Sequence, residues 1–402
     1  MQSSSVEYNH IHFLKRGFIM SKVLIIGAGR EGKGFLGETF FADGWDVSFL
    51  DKNPKVISSL QSGAYEVKLY EPEGVRINTV TGYHAYLADE NYCCMEDALE
   101  ASIFAIATYP EDIPDVANYL GKIIEERAKV CPQNKLSILA CTNKNHYIDD
   151  VCSCFRQALQ TEEARAWFDS NAVVRDCIVR RSTNAESSHA LSLVSTVCMT
   201  LLVQQPIFAD ISDLRWVELC DDIENLKEIK LYTYNGPHAT CAYCGYQKGY
   251  STILQASADP EIANLMHQVL VEAIPALSKE FGVAEDKIWD FCNFPKMKEE
   301  MDDAISRVAY DPIRKLGRYD RLIGNAEFCM KYGIIPEALT TAAACALAYD
   351  EPNDPNAQKL QALIKEKGID FAAEQICGLP SNEKTMSMVI SKYKKISKLN
   401  NV

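Results

Sequence analysis

The run Lys22-Val-Leu-Ile-Ile26-Gly27-Ala-Gly29-Arg-Glu-Gly32-Lys-Gly34 decides the fold. Val23 to Ile26 read as a short buried strand. The Gly-x-Gly-x-x-Gly that follows leads into a helical pattern carried by Phe35, Leu36 and Phe40. In that setting the glycines allow a tight turn and close backbone approach to a pyrophosphate at a helix N-terminus. A second strand, Asp46-Val-Ser-Phe-Leu50, ends at Asp51, about twenty residues past the glycines. An acid there accepts hydrogen bonds from adenosine ribose hydroxyls and repels a 2′-phosphate, so NAD is expected over NADP despite the neighbouring Lys52. The expected cofactor-binding set is Gly27, Gly29, Arg30, Glu31, Gly32 and Asp51. A purely structural strand-to-helix turn is the competing use of the same glycines.

Outward from this stretch, strand-like runs at 23–26, 47–50, 103–107, 136–140 and 190–202 alternate with helical ones. That alternation predicts an α/β unit, a Rossmann-type doubly wound parallel sheet over residues 20–211. Thr108 closes the third run at the carboxyl end of the sheet and joins the cofactor set. Asn143 follows the fourth run on the same rim. Beyond about residue 213, long amphipathic stretches such as 261–281 and 336–349 predict an all-helical substrate and catalytic domain over 212–402. Residues 1–19 lack the apolar core of a secretory signal and read as an upstream start or a disordered arm.

Chemistry concentrates in Lys230-Leu-Tyr-Thr-Tyr-Asn235-Gly-Pro-His238. On an unbroken helix Lys230, His238 and Asn235 fall at roughly 0°, 80° and 140°, on one half-cylinder, with Gly236-Pro237 as the place for a kink or restart. A desolvated lysine amine is a base near neutral pH, an asparagine amide donates to a forming alkoxide, and a histidine holds a neighbouring hydroxyl. Read alone, the same residues also describe a solvated face with a cap. Arg314, Arg318 and Arg321 sit at i, i+4 and i+7 with Lys315 beside them, a helical face suited to phosphate oxygens. Asp303, Asp311 and Asp320 leave a salt-bridged face as the alternative.

The 402 residues exceed a comfortable single core, and 47% hydrophobic with 24% charged residues is ordinary for a globular enzyme. A formal net charge of −14 argues against nucleic acid or an acidic membrane as partner, so an anionic substrate needs a local basic pocket. Fifteen cysteines fit small buried hydrophobes in a reducing cytoplasm. His238-x2-Cys241-x2-Cys244 lacks a second ligand pair, and no metal is expected.

With the glycine fingerprint and the Lys-x4-Asn-x2-His pattern in place, the chain resembles the polyol-specific long-chain dehydrogenase/reductase family, and within it the mannitol-1-phosphate 5-dehydrogenases. The resemblance runs from about Met20 to the C-terminus. It includes Ala140-Cys-Thr-Asn143, Asp311-Pro-Ile-Arg-Lys-Leu316, Asp320-Arg-Leu-Ile323 and Asp354-Pro-Asn-Ala-Gln358. It implies a zinc-independent, NAD-dependent oxidoreductase interconverting mannitol 1-phosphate and fructose 6-phosphate. Lys230 is then the general base, Asn143 and Asn235 an oxyanion hole, and His238 a substrate-binding residue. Arg314, Lys315 and Arg321 become the substrate's phosphate anchor, and Glu228 is a candidate for proton exchange with solvent. Where relatives carry Asp-Arg-Ile this chain reads Val179-Arg180-Arg181, and Thr142 stands where they have Glu. These departures bear on substrate identity. The alternatives are a dehydrogenase for a free polyol or a hexuronate, of mannitol 2-dehydrogenase or fructuronate/tagaturonate reductase type, or a non-catalytic dinucleotide sensor. A monomer or small homo-oligomer acting on a small molecule is expected.

Overall fold

A computed structural model describes residues 21–142, 144–196, 200–293 and 301–399, with side chains to 397. The strands are β1 (Lys22–Ile26), β2 (Asp46–Asp51), β3 (Ala64–Glu71), β4 (Gly74–Thr81), β5 (His84–Leu87), β6 (Ile103–Ile106), β7 (Leu136–Ala140), β8 (Ala172–Val179), β9 (Thr183–Asn184), β10 (Ser192–Thr196), β11 (Leu201–Gln204) and β12 (Val217–Cys220). Eight of them form one sheet in the order β12-β11-β8-β7-β6-β1-β2-β5. The six strands from β8 to β5 run parallel. Their apolar residues alternate between two covered faces. Val23, Ile25, Ile103 and Ala105 pack on the side of Phe35, Leu36 and Phe40, while Leu24, Ile26, Phe104 and Ile106 pack against Ile113, Ala117 and Leu120. Parallel strands covered on both faces are the doubly wound arrangement.

The sheet departs from pure parallel pairing at one edge, where β11 lies antiparallel to β8 and carries β12 beside it. The apolar run expected as one strand over 190–202 is two strands in two sheets. Its first part is β10, which belongs to a four-stranded sheet in the order β4-β3-β10-β9. That small sheet contributes Tyr65, Val67, Leu69, Val80 and Leu193 to the core on the glycine-helix side. β12 begins at Val217, past residue 211, so the sheet collects its outermost strand before the helical half opens with Ile223–Thr233.

The helical half centres on Asn235–Gln247, where Ala239, Cys241, Ala242 and Tyr243 are at most 1% exposed. The small residues Ala342, Ala343, Ala344 and Ala346 of Glu337–Leu347 share its core and let the helix axes approach closely. Cys241 and Cys244 are packing residues here, and the described cysteines all carry free thiols. No helix among the described residues is long and apolar enough to cross a membrane.

Candidate active site

The glycine loop is shaped by what its residues lack. Gly27 has φ +94°, and a Cβ there would stand 2.6 Å from the Ala107 carbonyl oxygen of the neighbouring strand end. A Cβ on Gly32 would fall 1.9 Å from the Gly27 carbonyl oxygen, so the helix could not fold back over the turn. Gly29, between them, faces open space. The loop is fastened by Asp51, whose Oδ2 accepts the Ala28 N–H at 2.8 Å and whose Oδ1 accepts the Asn53 N–H at 2.8 Å. Lys52 turns away from it, to Asp112 at 2.5 Å. Thr108 Oγ1 and Glu31 Oε1 are buried with no hydrogen-bond partner among the described residues. An open cradle where the strand order reverses, with buried polar atoms left over, fits a dinucleotide. Arg30 reaches Asn184 at 3.4 Å across the rim.

Lys230 lies on Ile223–Thr233, and Asn235 and His238 open Asn235–Gln247. The two helices are nearly continuous. Pro237 has no N–H for the Thr233 carbonyl, and the interruption falls at Tyr234 (φ −103°, ψ −54°). Asn325 Nδ2 donates to the Tyr232 carbonyl at 3.1 Å and braces the junction. Lys230, Asn235 and His238 all line one cleft of about 620 Å³ between the sheet's carboxyl rim and the helical half. Glu31, Glu228, Arg180, Arg307, Arg314, Lys315 and Arg321 line it too.

The cleft's electrostatics follow from burial in a mainly cationic setting. Burial pushes the Lys230 amine down to about 8; Glu31 opposes that shift, while Lys227 and Arg180 add to it. The amine donates to the Val179 carbonyl at 2.9 Å. His238 is pushed down to about 4, by burial first and then by Arg307, Arg321 and Lys315, so it is neutral at pH 7. Lys315 is pushed down to about 7 by burial, then by Arg321 and Arg314. A lysine poised between its two forms, an amide and a neutral imidazole can move a proton on a secondary alcohol and hold its oxygens.

The basic wall is not the helical face expected from spacing. Pro312–Lys315 is a single turn, started by Asp311 in the left-handed region (φ 60°) with its carboxylate capping the Arg314 N–H at 3.2 Å. The chain then turns through Gly317, and the next helix is Ile323–Lys331. Arg314 and Arg321 reach the cleft from either side of this turn, whereas Arg318 leaves for the Gly378 carbonyl at 3.4 Å. Asp320 pairs with Arg321 at 2.7 Å, and Arg314 stands 3.7 Å from Asp311. Carboxylates thus orient the guanidinium groups while leaving Arg314 more than half exposed.

Asn143 lies outside the described residues, as do residues 1–19. The carbonyls on either side of Asn143 are described. Lys227 Nζ donates to Thr142 O at 2.9 Å and Lys144 O at 3.2 Å, and pairs with the buried Asp176 at 2.5 Å. Lys227, Asp176 and Arg307 join the site without belonging to any of the sequence motifs described above. A second lysine one helical turn before Lys230 was the available signal for the first of these. Glu228 accepts from Asn145 at 2.8 Å and His146 at 3.2 Å, tying the same loop to the lysine helix.

Residues 21–200 match the mannitol dehydrogenase Rossmann domain and residues 222–397 the mannitol dehydrogenase C-terminal domain. The mannitol-1-phosphate 5-dehydrogenase of Bacillus licheniformis is 30% identical, covering 92% of this chain and 99% of its own. That of Aspergillus clavatus is 29% identical, covering 94% and 98%. Among solved structures, Pseudomonas fluorescens mannitol 2-dehydrogenase in ternary complex with NAD and D-mannitol superposes with a TM-score of 0.70. It is 15% identical and covers 94% of this chain and 92% of its own. A D-sorbitol dehydrogenase gives 0.74 at 16% identity, covering 95% and 94%. At these identities the structural matches speak to the fold.

Proposed function

The chain belongs to the mannitol dehydrogenase family of oxidoreductases, and from that premise we propose that it interconverts mannitol 1-phosphate and fructose 6-phosphate by NAD-dependent hydride transfer, with Lys230 as general base. One observation carries the reading. The depressed Lys230 amine shares a cleft with Asn235 and His238, and the far wall of that cleft supplies Arg314, Lys315 and Arg321. NAD, when bound, supplies the hydride acceptor for the oxidised carbon. Gly27, Gly29, Arg30, Glu31, Gly32, Asp51 and Thr108 are the residues that would hold it.

The Lys230 amine removes the hydroxyl proton of the carbon being oxidised, and the ammonium returns it in the reverse direction. The Asn235 amide, with Asn143 as the family resemblance implies, donates to the oxygen as it gains negative charge. His238, neutral at working pH, holds a neighbouring hydroxyl without adding a charge that would suppress Lys230 ionisation further. The cationic wall fixes the phosphate, and with it the distance from the charged end of the substrate to the reacting carbon. Arg180 favours a second reading. It lines the cleft, bonds the Phe291 carbonyl at 2.8 Å and stacks on that ring, a placement that also suits the carboxylate of a hexuronate.

Following NADH absorbance with fructose 6-phosphate, free fructose and a hexuronate in parallel separates the readings. Strong preference for the phosphate supports the proposal. Equal rates on free fructose transfer the assignment to a free-polyol dehydrogenase, and turnover of the hexuronate alone transfers it to the second reading.

A further inference from the structure

We propose that Glu31, inside the glycine fingerprint, is the proton acceptor that discharges the Lys230 ammonium; this rests on the reading of Lys230 as the base. Glu31 comes from the sheet side of the cleft and Lys230 from the helical side, and both line it. Its Oε1 is buried with no hydrogen-bond partner among the described residues, a costly state for a carboxylate unless a proton or a cation arrives. The residue as a whole is partly buried and lines the cleft.

Among the described residues, the other groups around the amine do not serve this role. Lys227 and Arg180 are cations, and Lys227 is committed to Asp176. The Val179 carbonyl accepts a hydrogen bond from the amine and cannot keep the proton. Glu228, two residues before Lys230 on the same helix, is engaged with Asn145 and His146. Arg30, beside Glu31, points to Asn184. Burial raises Glu31 to about 7, with Lys230 pulling it back, while the amine lies at about 8. The acid is shifted up and the amine down, towards each other, which brings a proton exchange between them near neutral pH.

The step balances. In alcohol oxidation the carbon's hydride goes to the nicotinamide of NAD, and the hydroxyl proton forms an N–H bond on the Lys230 lone pair. That N–H bond then breaks as a cleft water takes the proton and gives one of its own to form an O–H bond on the Glu31 carboxylate, whose Oε1 makes no hydrogen bond to the amine itself, and the free amine is restored. The neutral acid releases one proton to solvent per NAD reduced. Ketone reduction runs the same path backwards.

The test uses the full chain with Glu31→Gln and Glu31→Asp. In the cofactor-free protein, labelling of Lys230 by a small amine-reactive reagent is followed against pH by peptide mass. The wild type should label with a midpoint near 8. Glu31→Gln should lower that midpoint by about one unit, because the carboxylate that favours the ammonium is gone, and Glu31→Asp should restore most of it. In steady state, Glu31→Gln should lose on the order of tenfold or more in turnover in weakly buffered solution and regain it as imidazole is added. An unchanged labelling midpoint overturns the pairing. A shifted midpoint with turnover indifferent to imidazole overturns the relay. The labelling arm needs no substrate, so failure of the proposed reaction is read separately from failure of this pair.

Discussion

At the scale of single residues, two lysines of the cleft are tuned in the same direction and imply opposite pH effects. Lys230 is held at about 8, so the free amine that alcohol oxidation requires accumulates as pH rises through that value. The ammonium that ketone reduction requires is lost over the same interval. kcat/KM for oxidation should therefore climb towards a plateau above pH 8 and that for reduction should fall, measured with one enzyme preparation in both directions. Lys230→Ala should cost on the order of a hundredfold or more in turnover while NADH still binds, as read by its fluorescence. Near-normal activity in that variant removes the lysine from the mechanism. Lys315 behaves differently, because its work would be to remain charged. With the free amine at about 7, a bound phosphate would raise it again, so phosphate binding should take up a proton and weaken as pH rises above about 7. Isothermal titration in buffers of different ionisation enthalpy measures that proton directly. No uptake would mean that Lys315 meets no anion.

At the scale of elements, the segments that read most clearly from sequence are those whose constraint is residue identity. Gly27 and Gly32 must lack a Cβ, and the glycine turn stands as expected between β1 and its helix. Elements defined by distant partners were harder to see. The strand β8 is hard to see in the sequence because Arg175 and Asp176 interrupt its apolar run. Asp176 is tolerated only because Lys227, on a helix far along the chain, meets it in the interior. The arginine wall departs from its spacing for a related reason. Spacing of i, i+4 and i+7 assumes a continuous helix, while Asp311-Pro312 and Gly317, the stop and start signals actually present, describe a turn. Two motifs noted separately in the sequence prove to be one device. Asp354, 1% exposed, caps its own helix through Asn356 and Ala357 and also accepts the Asp311 N–H at 2.7 Å, fixing the turn that presents Arg314 and Lys315. Asp354→Ala should remove the cap and orphan a partly buried donor, costing about 2–4 kcal/mol. Urea unfolding reads that loss. KM for the phosphorylated substrate should rise more than kcat falls, because the anchor loosens while the lysine helix stays in place; the reverse split would detach Asp354 from substrate binding.

At the scale of the whole molecule, the distribution of charge sets a condition on function. The chain carries a formal net charge of −14, which repels an anion at long range, yet its principal cleft gathers Arg180, Arg307, Arg314, Lys315 and Arg321 around Lys230. Low-dielectric walls focus that local field, so the approach of a phosphorylated sugar depends on a few cations working against the average potential. Screening acts on both contributions, but the buried, short-range one survives it better than the exposed one. Arg314, more than half exposed at the mouth, belongs to the screened class, and Arg321, with 13% of its side chain exposed, to the protected class. Arg314→Ala should therefore lower kcat/KM for fructose 6-phosphate on the order of tenfold and leave free fructose nearly unaffected. The wild-type dependence on ionic strength should flatten in that variant. If salt dependence persists unchanged without Arg314, or if the substitution damages both sugars equally, the basic wall is holding the protein's own carboxylates Asp311 and Asp320 together and the phosphate is recognised elsewhere.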